Sequence, residues 1–547
     1  MRFPRWSWLA AVLAGWWCIG GPLPAADPSA GFEGRPLRNV NPDDARVLGI
    51  LLRGLTYQTQ KDGRMTPELQ KQVAAATEAY IKQDLNTAYR LATRLVMRLR
   101  GQEVSEESEV AASFDFRLGQ KIVAPGEALP FRLEPWFTLG RQPAGRYSAR
   151  LTLRSTAGQQ LETLAVAPIA EFSDTASALP IGKLAPGKYL IHYELFSPEG
   201  KLLVELPREF LVSADLTPRL AALNRQLERI QAGRLAAKGP QHRAAVETIE
   251  YLAGLLGRAR HEYVADMNKK SSPMTTRLRG LNLTASASDP FHPDKDLPLA
   301  EELAAALLAG KNPLAARAGD LRLAYRSAVD NTLQPFRVFV PSGFDPSRKY
   351  PLIIALHGAT GDENSYLDRY LNRPGGENLF KKLGQERGYI LAAPNGRGPY
   401  GGYAGNAEKD VLDVMDRLLE IYPIRREEVF LTGHSMGGGG TWAIGFRHPR
   451  RFAALAPVAS GFGGRAPSSA ALPLENAPHM PVLYCQGLKD TLATPETGRQ
   501  VREIAGKALP NFRYLEFPDD HFVVGVTSMP AVFDFFDAQR ASRKSTE

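Results

Sequence analysis

Residues Glu427 to Phe446 read EEVFLTGHSMGGGGTWAIGF. A short apolar run, Val429-Phe430-Leu431, enters Gly433-His434-Ser435-Met436-Gly437, and helix-compatible residues follow from Thr441. A G-x-S-x-G pentapeptide alone is a weak signal in a chain with 49 glycines. Here it stands between a strand and a helix, the context in which it forms a nucleophile elbow. Gly433 and Gly437 carry no Cβ, so the backbone can turn tightly and pass close to its neighbours. Ser435, at the apex, is expected to project its hydroxyl from a sheet at a helix N-terminus, where free N–H groups favour negative charge. Nucleophilic acyl transfer needs that hydroxyl together with donors for the oxyanion.

A base and an acid must follow. Asp490 ends Tyr484-Cys-Gln-Gly-Leu-Lys-Asp490, just past an apolar strand, and His521 ends Phe517-Pro-Asp-Asp-His521, just past the next. The chain order Ser, Asp, His is the order for this sheet topology. His521 would take the Ser435 proton, while Asp490 fixes its tautomer and stabilises the imidazolium. Asp519 and Asp520 compete for the acid role, but residues adjacent to a histidine rarely fold back onto its Nδ1. The oxyanion donors are expected at the N–H of Met436, after the nucleophile, and at the N–H of Ala359 in the His357-Gly358-Ala359-Thr360 loop. His357 itself reads as a structural residue of that loop, and His434 as an elbow residue. This set needs no metal and no cofactor, and none is expected.

Around the elbow, strands and helices alternate from Leu333 onward. Phe336–Val340, Leu352–Leu356, Tyr389–Ala393, Phe452–Ala459, Val482–Cys485 and Phe512–Phe517 read as strands. Asn406–Ile421 and a closing stretch from Met529 read as helices. The fold class is therefore α/β, a mostly parallel sheet with helices on both faces. Ligands bind such sheets beyond the carboxyl ends of the strands. Two loops should overhang that edge, Phe462–Met480 and the glycine-rich Asn395–Gly405, with Tyr400 and Tyr403 as candidate substrate-binding residues; packing of the loop is their alternative role.

Upstream, Asp43 to Arg100 has helical period, with Thr66-Pro67 and Asp84 as helix starts. Tyr147–Leu153, Tyr189–Leu195 and Leu202–Leu206 alternate like strands of a β-sandwich. His192 lies in one of them and reads as a surface or packing residue rather than a ligand. Thr217 to Ala265 returns to amphipathic helix, and Ser271–Pro298 reads as a linker. The expected organisation is a signal peptide over 1–26, a helical region over 27–110, an immunoglobulin-like β-sandwich over 111–215, helices and linker over 216–330, and a catalytic domain over 331–547. The last is expected to fold alone from near Arg326.

Arg2 and Arg5 precede the apolar run Trp8–Gly20, and small residues Ala25 and Ala26 follow, the order of a secretory signal peptide. The run is short for a membrane span, and no later stretch is long and apolar enough. A secreted or periplasmic location is expected, without stable membrane insertion after cleavage. Cys485 would then be the remaining cysteine, so the fold must rest on its cores. The net charge of +9 over 547 residues is modest. It fits a solvated surface better than a nucleic-acid footprint, and no nucleic-acid partner is expected.

Leu356-His-Gly358, Leu431-Thr-Gly-His-Ser-Met-Gly-Gly438, Arg451-Phe-Ala-Ala454 and Ala456-Pro-Val458 together resemble the α/β-hydrolase serine esterases related to prolyl oligopeptidase. The bacterial polyhydroxybutyrate depolymerase and feruloyl esterase branch is similar. The likeness covers about Leu333 to Ala538 and implies a serine hydrolase acting on carboxylic esters, with small-molecule or polysaccharide-linked esters as substrates. A serine peptidase of the same fold is the alternative, although residues 27–330 lack the repeats of a propeller. A non-catalytic binding protein that keeps the fold is a third reading, opposed by the complete Ser-Asp-His order.

Overall fold

The computed structural model describes residues 66–544, except 262–292, 463–473 and shorter gaps at 83, 100–102, 119–121, 136, 140–142, 144, 169–174, 182–183, 360, 370–376 and 399–401. The signal peptide and the first helix expected near Asp43 lie outside the described residues. Two compact units divide the chain. One contains Leu223–Ala253 and the residues from Ala287 on, the other Leu23–Ala222 and Gly254–Ser286.

The first unit is built on an eight-stranded sheet. Its strands are β1 (Gly319–Arg326), β2 (Leu333–Val340), β3 (Tyr350–Leu356), β4 (Ile390–Pro394), β5 (Ile424–His434), β6 (Ala454–Val458), β7 (Val482–Gly487) and β8 (Phe512–Phe517). They lie in the order β8-β7-β6-β5-β3-β4-β2-β1. β2 runs antiparallel to both β1 and β4, and every other neighbouring pair is parallel. This is the α/β-hydrolase arrangement. β3, β4, β6 and β7 are buried along their whole length, as befits strands covered on both faces.

The covering helices are α1 (Pro240–His261), α2 (Pro293–Leu308), α3 (Leu379–Arg387), α4 (Asn406–Ile421), α5 (Met436–Arg447), α6 (Pro495–Ala508), α7 (Val524–Thr527) and α8 (Met529–Lys544). On α4 the buried positions Ala407, Val411, Val414, Met415, Leu418 and Ile421 recur at the helical spacing read from the sequence. Aromatic rings tie α8 to the sheet: Phe536 stacks on Phe430 with centroids 4.6 Å apart, and Phe533 meets Tyr389 edge-on at 5.5 Å.

The sheet begins earlier than the sequence suggested. β1 lies inside the segment 216–330 that was expected to hold helices and linker, so the catalytic sheet starts at Gly319 rather than after residue 330. Leu321, Leu323 and Tyr325 do alternate along it, but Arg322 sits between them and is 3% exposed. Its charge is matched by Glu363 at 2.5 Å and Asp296 at 3.0 Å, so a residue type that usually marks the surface is here part of the interior. The part of α1 up to Ala253 also belongs to this unit. Thr248 Oγ1 of α1 accepts the Ala324 N–H at 3.0 Å, and Glu250 pairs with Arg326.

The second unit combines helices with a β-sandwich. Pro67–Ile81 is capped by Thr66, whose Oγ1 accepts the Leu69 N–H at 3.2 Å. Asp84 likewise accepts the Thr87 N–H at 3.1 Å ahead of the helix Leu85–Leu99. A five-stranded sheet, with Gly187–Phe196 paired between Ser148–Ser155 and Leu202–Val212, shares one core with a three-stranded sheet of Phe114–Leu118, Ala128–Pro135 and Thr175–Pro180. His192 is buried on its strand, its Nδ1 2.5 Å from Glu205 Oε1.

Candidate active site

Ser435 stands between the last residue of β5 and the first of α5, with φ 58° and ψ −117°. A non-glycine residue in this region costs about 1–3 kcal/mol, and such strain persists only where the surroundings impose it. They do so here. The Ser435 N–H donates to Val458 O at 2.9 Å, and Ser435 O accepts the Gly439 N–H at 3.0 Å. A Cβ on Gly433 would lie 2.3 Å from Gly437 O, and one on Gly437 would lie 1.9 Å from Leu356 O. Both positions must therefore be glycine for β5, α5 and β3 to meet. The helix starts at Met436, so Ser435 stands at its N-terminus. Its run of four glycines is poor in helix propensity, and close packing outweighs that preference.

The structure brings Ser435, His521 and Asp490 together. His521 Nε2 lies 2.8 Å from Ser435 Oγ, and its Nδ1 lies 2.7 Å from Asp490 Oδ2. A carboxylate oxygen accepts, so Nδ1 carries the proton and Nε2 is left to accept from the serine hydroxyl. Asp490 is fully buried, and its Oδ1 accepts the N–H groups of Leu492 and Ala493, each at 2.8 Å. The loops bearing acid and base are joined by Leu488 N–H to Phe517 O at 2.7 Å and Lys489 N–H to Asp519 O at 2.8 Å. The rival carboxylates are engaged elsewhere: Asp520 Oδ1 accepts from the N–H of Phe522 and Val523, and Asp519 Oδ2 accepts from the Thr527 hydroxyl.

Gln486 was not singled out in the sequence. Its Nε2 donates to Ala493 O at 2.7 Å, while its Oε1 accepts from the Tyr484 hydroxyl at 2.7 Å, so it braces the turn that holds Asp490. A glutamine at the end of an otherwise apolar strand was the available signal.

The loop after β3 comes up against the nucleophile. A Cβ on Gly358, the residue before Ala359, would stand 3.4 Å from Ser435 Cβ. Met436 N–H, at the first turn of α5, and Ala359 N–H have no acceptor among the described residues. His357 stands between the carbonyl oxygens of Gly358 at 2.8 Å and Asn395 at 2.9 Å.

Tyr403 is not placed to stack on substrate. It is 1% exposed, its hydroxyl donates to His357 O at 3.2 Å, and its ring lies over the place where Gly440 would carry a side chain. The loop around it is pinned by Gly396 N–H to the buried Asp410 at 2.8 Å. Burial drives the Asp410 carboxyl up to about 6, against the opposing hydrogen bonds from Tyr325 and Gly396. Tyr400 lies outside the described residues, as do residues 463–473 of the other loop. Among the described residues no group of three or more His, Cys, Asp and Glu has metal-binding geometry, and no helix is long and apolar enough to cross a membrane.

No protein-family model matches the chain. A stretch of 130 residues is 30% identical to probable feruloyl esterase C of Aspergillus terreus, covering 22% of this chain and 44% of that protein. A stretch of 129 residues is 30% identical to dipeptidyl-peptidase 5 of Porphyromonas gingivalis, covering 22% of this chain and 18% of that one. The chain thus spans less than half the length of either relative. Among solved structures, similarity extends to a fluorophosphonate-binding serine hydrolase of Staphylococcus aureus, 19% identical with a TM-score of 0.35, over 40% of this chain and 98% of that one. It extends also to a ferulic acid esterase of Anaeromyces mucronatus, 20% identical with a TM-score of 0.31, over 40% and 89%. The resemblance read from the motifs is to the same group of serine hydrolases and esterases.

Proposed function

We propose that this protein is a serine hydrolase that cleaves carboxylic esters through an acyl-enzyme on Ser435. The observation that carries the reading is the continuous hydrogen-bonded line Asp490–His521–Ser435 at the carboxyl ends of β7, β8 and β5. In the forward step His521 Nε2 takes the hydroxyl proton as Ser435 Oγ bonds to the ester carbon. The negative charge passes to the carbonyl oxygen, held by the N–H groups of Met436 and Ala359. The tetrahedral species collapses, the alcohol leaves with the proton from His521, and the acyl group stays on Ser435. Water then attacks the acyl carbon, gives its proton to His521 and releases the carboxylic acid, and Ser435 regains its hydrogen. Asp490 steadies the imidazolium in both halves.

Polysaccharide-linked or small aromatic esters are the substrate class favoured here, on the partial likeness to a feruloyl esterase. The amino-terminal pattern supports export to the periplasm or beyond, with no part for nucleic acid. Peptide hydrolysis is the second reading, favoured by the partial likeness to a dipeptidyl-peptidase. A panel of aryl esters, feruloyl and acetyl sugar esters and proline-containing peptides separates the two. Ester turnover with no peptide cleavage is expected. Peptide cleavage without ester turnover would reverse the order.

A further inference from the structure

His434 precedes the nucleophile in sequence, and its ring lies 4.8 Å from that of His521, centroid to centroid. Its Nε2 is 2.6 Å from the main-chain carbonyl oxygen of His521. A carbonyl oxygen can only accept, so Nε2 must carry the hydrogen and donate. The side chain is buried, and that burial, with the neighbouring His521 as a second cause, pushes its pKa down to about 3. The ring therefore stays neutral and adds no positive charge beside His521.

Its seat is shaped on two sides by residues without side chains. A Cβ on Gly358 would lie 3.4 Å from His434 Nδ1, and one on Gly525 would lie 3.2 Å from its Cδ2. Gly358 belongs to the loop that carries Ala359, and Gly525 to α7, which follows His521. The ring is thus wedged between the loop of an oxyanion donor and the helix behind the base.

We propose that His434 is a positioning residue: its Nε2–H fixes the His521 main chain, and through it the imidazole that must reach Asp490 and Ser435 at once. The inference rests on the triad reading above. Both partners of His521 are short contacts to rigid elements, so a small displacement of its backbone breaks one or the other. A misplacement near 1 Å can cost on the order of a hundredfold in rate.

Three substitutions test it on the full-length protein. His434→Gln carries an amide donor at about the reach of Nε2. His434→Asn ends near the position of Nδ1 and stops short of the carbonyl. His434→Leu fills the space with no donor. For a hydrolysable aryl ester, His434→Asn and His434→Leu should lose roughly tenfold or more in kcat with KM held within about twofold, whereas His434→Gln should stay within about threefold of wild type. Ser435→Ala runs alongside. If it retains turnover, the triad reading itself fails. If it is inactive while His434→Asn keeps wild-type kcat, or while His434→Gln is as slow as His434→Asn, the positioning role is overturned. Should His434→Leu fail to fold, the Gln and Asn pair decides. Unfolding of both amide variants would make the role purely structural and would also overturn the proposal.

Discussion

At the scale of single residues, the triad makes distinct demands on its members. Asp490→Asn preserves size but can no longer hold the N–H tautomer on Nδ1 as a carboxylate does, so kcat for an aryl ester should fall about 10³–10⁴-fold with little change in melting temperature. A loss under tenfold would remove Asp490 from the mechanism. Tyr403 gives the opposite kind of test. Because it is buried and bonds to the His357 carbonyl, Tyr403→Phe should lower kcat/KM for a large and a small ester together, leaving their ratio unchanged. A shift in that ratio would return it to the substrate pocket. Ser435, Asp490 and His521 could be read from the sequence because each follows a strand in the order that the topology requires. The role of Gln486 could not, and for Tyr403 the sequence left loop packing and substrate contact both open. Both residues' roles depend on which carbonyl a loop brings to the side chain, and no local pattern carries that information.

At the scale of elements, most of the parallel strands were legible as apolar runs, since a strand covered on both faces has no polar side to interrupt it. β1 was not, because Arg322 breaks its run and is accommodated by carboxylates from Asp296 and Glu363, distant in sequence. The helix α3 was also missed; it is short, contains Gly384 and closes on Gly388 at φ 71°. In the second unit, the helix Glu106–Ala112 is held to Leu85–Leu99 through Glu109, which pairs with Arg90 at 2.9 Å and Arg94 at 2.5 Å. Burial alone would push the Glu109 carboxyl up, yet hydrogen bonds from Arg94 and Arg90 prevail and hold it at about 2. A folded pKa below the unfolded value of 4.5 stabilises the protein above pH 4.5, and this contribution is lost as the pH falls towards 2. Glu109→Gln should therefore be less stable than wild type at pH 7, by at most about 3 kcal/mol, with the gap closing between about pH 4.5 and 2. Denaturant melts across that window measure it, and a gap independent of pH would refute the pairing.

At the scale of the whole molecule, the boundary of the hydrolase unit is itself testable. A fragment beginning at Arg326 would lack nearly all of β1, exposing the edge of β2 and leaving Glu363 without the Arg322 guanidinium. That fragment should aggregate, whereas one beginning at Leu223 keeps the Thr248 and Glu250 contacts to β1 and should melt cooperatively and hydrolyse esters. Equal solubility of the two would show that β1 is dispensable. The central claim, that this fold is a serine hydrolase working through Ser435, is tested most directly by trapping the acyl-enzyme. Intact-mass and peptide mass spectrometry after acid quench, during turnover of a slowly deacylating aryl ester, should find one acyl group per chain, on the peptide containing Ser435, and none on Ser435→Ala. Steady ester hydrolysis with no adduct on Ser435, or an unchanged rate in Ser435→Ala, would contradict the account.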